Sequence, residues 1–299
     1  MVSLRQLRYF AAVARTGHFG AAAEQCAVTQ PALSMQIQEL ERELGLQLLE
    51  RGRKGVALTA GGREIADRAT RVLADVRDLV DRARHLSGRF SGPFRLGAIP
   101  SIAPYLLPQL LPIIRAHHPD LDLHLRETQT DRLLEELVDG DLDLVLLALP
   151  VEHAGIETLS LLEDRFLLAV PASRAIAKNV RATPDLLRED RLLLLEEGHC
   201  LRDQALAFCR LRQVENIDTF GASSLSTIVQ MVSNDLGLTL LPELSLELES
   251  KRADIRLMRF TDPEPRRIIG LAWRETSPRK RDFMALGDLI VEAAARKRR

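Results

Sequence analysis

The stretch EEGHCLRDQALAFC, residues 196–209, sets two of the chain's three cysteines nine residues apart on what reads as one short helix. Two thiols in such a setting make a redox switch the leading reading. A helix rises about 1.5 Å and turns about 100° per residue, so Cys200 and Cys209 would stand roughly 13 Å apart on opposite faces. A disulfide needs Cα atoms within about 7 Å. If these thiols join, the helix between them must unwind, and oxidation becomes a conformational change. The plainer alternative is two small apolar residues in a core helix.

The surroundings of Cys200 favour chemistry. A helix N-terminus and a nearby cation both lower a cysteine pKa, and the thiolate is the nucleophile. Cys200 follows Gly198, where the helix should begin, and Arg202 lies two residues on. Attack of such a thiolate on a peroxide gives a sulfenic acid, which condenses with a second thiol. Cys209, beside Phe208 and near a Leu201-Ala205-Phe208 stripe, is expected to be buried while reduced. Cys26 sits among alanines and reads as core. The histidines, including His117-His118, show no spacing that suggests a metal site, so neither metal nor cofactor is expected.

At 299 residues, 46% hydrophobic and 28% charged, the chain has the composition of a soluble protein of two or three domains. It opens without a basic stretch leading into an apolar run and carries no apolar segment of membrane-spanning length, so the expected location is cytoplasmic, without a membrane partner. In that reducing compartment a disulfide would be transient or sensing. The net charge of −1 hides an asymmetry: residues 1–95 hold 15 Lys+Arg against 10 Asp+Glu, leaving 26 against 32 for the remainder. A basic N-terminal part favours a polyanionic partner, although a solvated surface would look the same.

Several elements must position these residues. Leu4, Leu7, Phe10, Ala11 and Ala14 predict a first helix ending at Thr16-Gly17, and Phe19 to Gln25 a second. A third opens at Thr29, whose hydroxyl can cap it with Pro31 in its first turn. Leu33, Ile37 and Leu40 face inward, leaving Ser34, Gln36 and Gln38 outward. That pair of helices is the arrangement that presents a recognition helix to the DNA major groove, and a three-helix bundle is the alternative. Residues 50–59 read as a hairpin with a basic tip at Arg53, placed to lie beside phosphates. Ile65, Ala69, Val72, Val76, Leu79, Ala83 and Leu86 then form a heptad seam, which suits a two-helix dimer contact or packing on the chain's own core. After a short hinge at 87–93, strands and helices alternate, implying an α/β domain with mainly parallel sheets, large enough for two lobes.

The order helix-turn-helix, basic wing, linker helix and α/β domain resembles the LysR-type transcriptional regulators over nearly the whole chain. The motifs LRYFAAVA (7–14), GHF (17–19), AAA (21–23), TQPALS (29–34) and LLER (48–51) are similar to that family's DNA-binding signature. EGHCLRDQ (197–204) with Phe208-Cys209 resembles the sensor motif of its hydrogen-peroxide-responsive branch, as do Ile99-Pro100, PYLLP (104–108), PEPRR (263–267) and IGL (269–271). The resemblance implies a winged helix-turn-helix domain over 1–58, a linker and dimerisation helix over 59–89, and a two-lobed α/β, periplasmic-binding-protein-like regulatory domain over 90–299. It implies that Cys200 is the peroxidatic thiol and Cys209 the resolving thiol. His199, Arg202 and Asp203 would shape the setting of Cys200, and Ser101 and Thr130 would line a peroxide pocket. DNA contacts would come from Thr29, Gln30, Pro31, Ser34, Gln36 and Arg53. The implied partners are promoter DNA, hydrogen peroxide, RNA polymerase, a cytosolic thiol reductant, and further copies of the chain in a homodimer or homotetramer.

Two positions depart from the pattern. Ser101 stands where threonine is common in this branch, keeping the hydroxyl without the methyl, and Thr219 stands where some members have histidine. Ser101 and Thr130 also suit plain helix capping. Two rivals remain: a regulator of the same family that binds a small organic effector between the lobes, with incidental cysteines, and a thiol-dependent peroxidase. The expected chain is a regulator and not an enzyme.

Overall fold

The computed structural model describes residues 1–52, 55–85, 90, 92–174, 180–183, 186–187, 190–211, 217–251 and 253–297. The side chains of 209–221 lie outside the described set, Cys209 and Thr219 included, as do Arg53 and Leu86. The chain divides into two compact units, Met1–Ala83 with 138–140, and Arg84–Leu137 with Asp141–Arg299. The first holds a helix-turn-helix and the second a two-lobed α/β fold, the fold class read from the sequence. No described helix is long and apolar enough to cross a membrane.

In the first unit, α1 (Leu4–Thr16) opens on a capping box between Ser3 and Gln6 and stops at Gly17, whose φ of +63° is left-handed. The helices α2 (Phe19–Gln25) and α3 (Gln30–Leu44) follow. Leu33, Ile37 and Leu40 of α3 are buried with Phe10, Val13 and Ala22, as the apolar spacing requires. Thr29 is the N-cap of α3, but its hydroxyl makes no capping bond. Pro31 has removed one of the two N–H groups a cap would bond, and Thr29 remains exposed. The wing is an antiparallel pair, β1 (Leu49–Gly52) with β2 (Gly55–Leu58). The Val56 N–H donates to Gly17 O at 3.1 Å, fixing the wing to the end of α1. Thr59 Oγ1 caps α4 (Ala60–His85) through Gly62 N–H at 2.8 Å. Along its heptad seam Ala69 is buried, whereas Val72 and Leu79 are 41% and 69% exposed.

The second unit is built on one strand that serves both lobes. β3 (Pro93–Ala98), α5 (Ala103–His117), β4 (Asp122–Glu127), α6 (Thr130–Val138) and β5 (Leu144–Leu149) form a parallel β-α-β-α-β run with β3 between β4 and β5. β6 (Ile156–Pro171) then crosses from the first lobe to the second. Its first ten residues pair with β11 (Arg266–Arg274), and its last part with β9 (Thr239–Pro242) and β10 (Ile255–Arg259). Between those strands come β7 (Leu192–Leu195), α7 (Cys200–Leu211), β8 (Ile217–Ala222) and α8 (Leu225–Ser233), with β7 and β8 parallel. After β9 come α9 (Leu246–Glu249) and then β10; β11 leads into α10 (Lys280–Lys297).

The expectation of mainly parallel sheets needs correction. Every described pairing of β6, β9, β10 and β11 is antiparallel. The chain passes between lobes twice, and strands that run outward and return must pair in opposite directions. The parallel strands β5 and β7 are apolar at every buried position because both sheet faces are covered. The lobes are tied where Tyr105 Oη, on α5, donates to buried Glu249 Oε1 at 2.7 Å, with Ser226 Oγ donating to the same oxygen at 2.8 Å. Burial, then the bond to Glu249, pushes the Tyr105 phenol above its ordinary range, so it stays protonated as a donor.

Candidate functional site

A cleft of about 740 Å³ in the second unit is lined by residues from β5, β6, α7 and β11, and Cys200 is on its wall. The turn that delivers Cys200 depends on Gly198. Its φ of +88° is left-handed, and a Cβ there would meet Gln129 Oε1 at 2.6 Å. Gln129 Nε2 also donates to Glu197 O at 3.4 Å. The chain then enters α7 with Cys200 as its first residue. Cys200, Asp203, Gln204, Ala207 and Phe208 all line the cleft, at the spacing of one helical stripe. Leu201 and Ala205 face the core at 3% and 2% exposure.

The cation serving Cys200 is not the one nearest in sequence. Arg202 is buried, and its Nη1 donates to Leu195 O at 3.0 Å, tethering α7 to the end of β7. Arg267, on β11, supplies the positive charge instead. Its guanidinium is completely buried and donates Nε to Asp164 Oδ2 at 2.9 Å, Nη1 to Ser101 Oγ at 2.8 Å and Nη2 to Ser101 O at 3.0 Å. Asp164 in turn accepts the Leu244 N–H at 2.9 Å. This network fixes the fork of donors behind Cys200.

The balance at the sulfur differs from the sequence expectation of a lowered pKa. Burial pushes the Cys200 thiol above the ordinary cysteine range; Arg267, the Thr130 hydroxyl and the Leu201 N–H act against it, while Asp203 adds to the rise. Burial dominates because the half-buried thiol has lost part of its solvation and the guanidinium of Arg267 shares its charge with Asp164. The helix N-terminus helps as expected without deciding the outcome.

Thr130, first residue of α6, lies near enough to Cys200 to favour its anion. Yet its Oγ1 is buried without a partner in hydrogen-bond geometry among the described residues, as is Gln204 Oε1. Both residues line the same cleft as Cys200, so a small oxygen-rich molecule entering it would find a donor and an acceptor. Ser101 joins the site through Arg267. It is 3% exposed and is engaged by Arg267, which leaves its own hydroxyl proton free to donate. His199 is buried, with Nε2 3.8 Å from Glu196 Oε1. Burial lowers its pKa against the opposing pull of Glu196, so it is neutral at neutral pH. His199 and Arg202 therefore support the turn, while Cys200, Thr130 and Asp203 are brought together on the cleft. The Cys209 backbone belongs to the same helix.

Sequence reasoning missed Arg267 as a site residue, along with Asp164 and Gln129. Only the PEPRR run ahead of an apolar strand hinted at Arg267. Among the described residues no three His, Cys, Asp or Glu side chains converge as a metal site requires. On the first unit, Thr29, Gln30, Pro31 and Met35 are exposed on α3 and its cap, and Ser34 and Gln36 are half-buried, with Gln36 Nε2 donating to Glu39 at 3.2 Å.

Residues 4–63 match the bacterial regulatory helix-turn-helix protein, lysR family, and residues 87–295 match the LysR substrate binding domain. A probable hydrogen peroxide-inducible genes activator of Streptomyces viridosporus is 44% identical over 97% of this chain and 94% of that protein. Full-length OxyR of Pseudomonas aeruginosa, solved as a point variant, is 35% identical with a TM-score of 0.78, covering 97% of this chain and 95% of that one. A Corynebacterium glutamicum OxyR mutant with hydrogen peroxide bound is 33% identical with a TM-score of 0.69, covering 98% and 93%. The chain belongs to the LysR family of bacterial helix-turn-helix transcriptional regulators.

Proposed function

We propose that this regulator senses hydrogen peroxide through Cys200 and activates oxidative-stress genes. The observation that carries the reading is Cys200 on the cleft wall, backed by Arg267 and flanked by the unsatisfied hydroxyl of Thr130. The Cys200 thiolate attacks one peroxide oxygen and the O–O bond breaks. The second oxygen leaves as hydroxide and takes a proton to become water, and Cys200 becomes a sulfenic acid. Thr130 and Ser101 hydroxyls steady the peroxide, and Arg267 stabilises both the thiolate and the leaving oxygen. Cys209 then attacks the Cys200 sulfur, a second water leaves, and a disulfide forms. A helix of twelve residues spans both cysteines, so disulfide formation requires its first turns to unwind. A cytosolic thiol reductant reverses the bond.

DNA is read by α3 through Thr29, Gln30, Pro31, Ser34 and Gln36, with Arg53 of the wing beside phosphates. The exposed Val72 and Leu79 of α4 meet a second chain, and pairs of dimers set the spacing of DNA contacts that RNA polymerase responds to. The size of the cleft favours a second reading, in which a small organic effector drives the response and the cysteines are incidental.

Footprints of the reduced and peroxide-treated protein on promoter DNA separate the two. The wild-type footprint is expected to change on oxidation, and Cys200→Ser is expected to give the reduced footprint with or without peroxide. A Cys200→Ser protein that still switched its footprint and still induced transcription would favour the effector reading.

A further inference from the structure

We propose that the cleft admits neutral alkyl or aryl hydroperoxides as a second class of oxidant for Cys200. The inference rests on the peroxide-sensing reading above and adds to it a binding surface for an organic tail.

A water molecule's share of liquid volume is about 30 Å³, and hydrogen peroxide needs roughly twice that. The cleft beside Cys200, open to solvent on one side, offers about 740 Å³, within the usual range for small-molecule sites of about 300–1,000 Å³. Most of that volume has no work to do for a two-oxygen substrate.

Its walls are suited to hydrocarbon. Leu149, Val151, Phe166, Ala207, Phe208 and Ile268 line it, and Phe208 packs edge-on to Phe260 with ring centroids 5.3 Å apart. Ala207 and Phe208 follow Cys200 by seven and eight residues on the helix, so they lie two turns along the stripe that carries the thiol. A hydroperoxide whose O–O group sits at Cys200, Thr130 and Gln204 can therefore lay its tail along the same helix face.

Charge selects a neutral tail. The polar groups of the rim are already compensated, with Arg266 Nη1 3.0 Å from Glu163 Oε2 and Arg267 held by Asp164. Asp203 lies one turn from the thiol and lines the cleft, so a carboxylate on the tail would be repelled there. The reaction balances as before: the Cys200 thiolate takes the terminal oxygen of ROOH, the O–O bond breaks, and the alkoxide takes a proton and departs as the alcohol ROH.

The test compares the rates at which hydrogen peroxide and cumene hydroperoxide oxidise Cys200 in the reduced full-length protein. The wild type is expected to react with cumene hydroperoxide within about tenfold of its hydrogen peroxide rate, and Val151→Trp, which fills the cleft, to slow only the cumene reaction, by about tenfold or more. A hydrogen peroxide rate within about twofold of wild type shows that the variant's thiol site is intact. If that rate also falls, the wild-type comparison decides alone. Cumene hydroperoxide lagging more than about a hundredfold behind hydrogen peroxide in the wild type overturns this proposal only. If neither oxidant reacts with Cys200, the peroxide-sensing reading itself falls.

Discussion

Arg267→Met is expected to slow Cys200 oxidation by about a hundredfold at neutral pH, because it removes the largest charge favouring the thiolate and the leaving oxygen. The same change leaves Asp164 buried at 2% exposure without its cation, which should destabilise the protein by roughly 3–5 kcal/mol. The two effects are separable. Adding Asp164→Leu removes the stranded charge and should restore much of the denaturation midpoint without restoring the rate. Arg267→Lys keeps a charge but not the fork that reaches Asp164 and both oxygens of Ser101, so it should fall between wild type and Met. Wild-type oxidation kinetics in a folded Arg267→Met protein would remove Arg267 from the mechanism.

The second large effect is on pH. Burial holds the Cys200 thiol above the ordinary cysteine range, and only the thiolate reacts. Below that raised pKa the reactive fraction grows with pH, so the oxidation rate should climb about tenfold per unit between pH 6 and pH 8. Cys209→Ser isolates this first step by preventing the disulfide. A rate independent of pH over that window would mean that the thiolate is already formed near pH 6, and that Arg267 and the helix N-terminus outweigh burial.

The contrast between Arg202 and Arg267 shows where the sequence is legible. Arg202 is close to Cys200 along the chain, and its spacing suggested the activating cation; the fold turns it back onto Leu195 O. Arg267 reaches the site from a distant strand, and no local spacing encodes that approach. The α7 helix, by contrast, is legible because its determinants are local: a left-handed glycine before it and an apolar stripe along it. Leu33, Ile37 and Leu40 told the inward face of α3 for the same reason.

Strand β6 was half visible. Its end, Phe166 to Val170, is apolar and reads as a strand, whereas Ile156 to Glu163 mixes half-buried and exposed side chains along the first lobe. β10, only five residues long, interrupts Ile255, Leu257 and Met258 with two arginines, too brief a pattern to read as a strand. Missing those elements concealed the double crossover and produced the expectation of mainly parallel sheets. The Thr29 cap failed on a similar point: residue type predicted the position, but Pro31 removed a donor that the hydroxyl would have bonded.

The central claim is that oxidation links Cys200 to Cys209 and thereby unwinds α7. Treating reduced full-length protein with stoichiometric hydrogen peroxide under anaerobic conditions, then mapping its thiols by labelling and peptide mass spectrometry, tests it most directly. The account predicts a rapid Cys200–Cys209 disulfide with Cys26 still free. Both sensor thiols remaining reduced while peroxide persists would contradict it and turn attention to small effectors in the cleft.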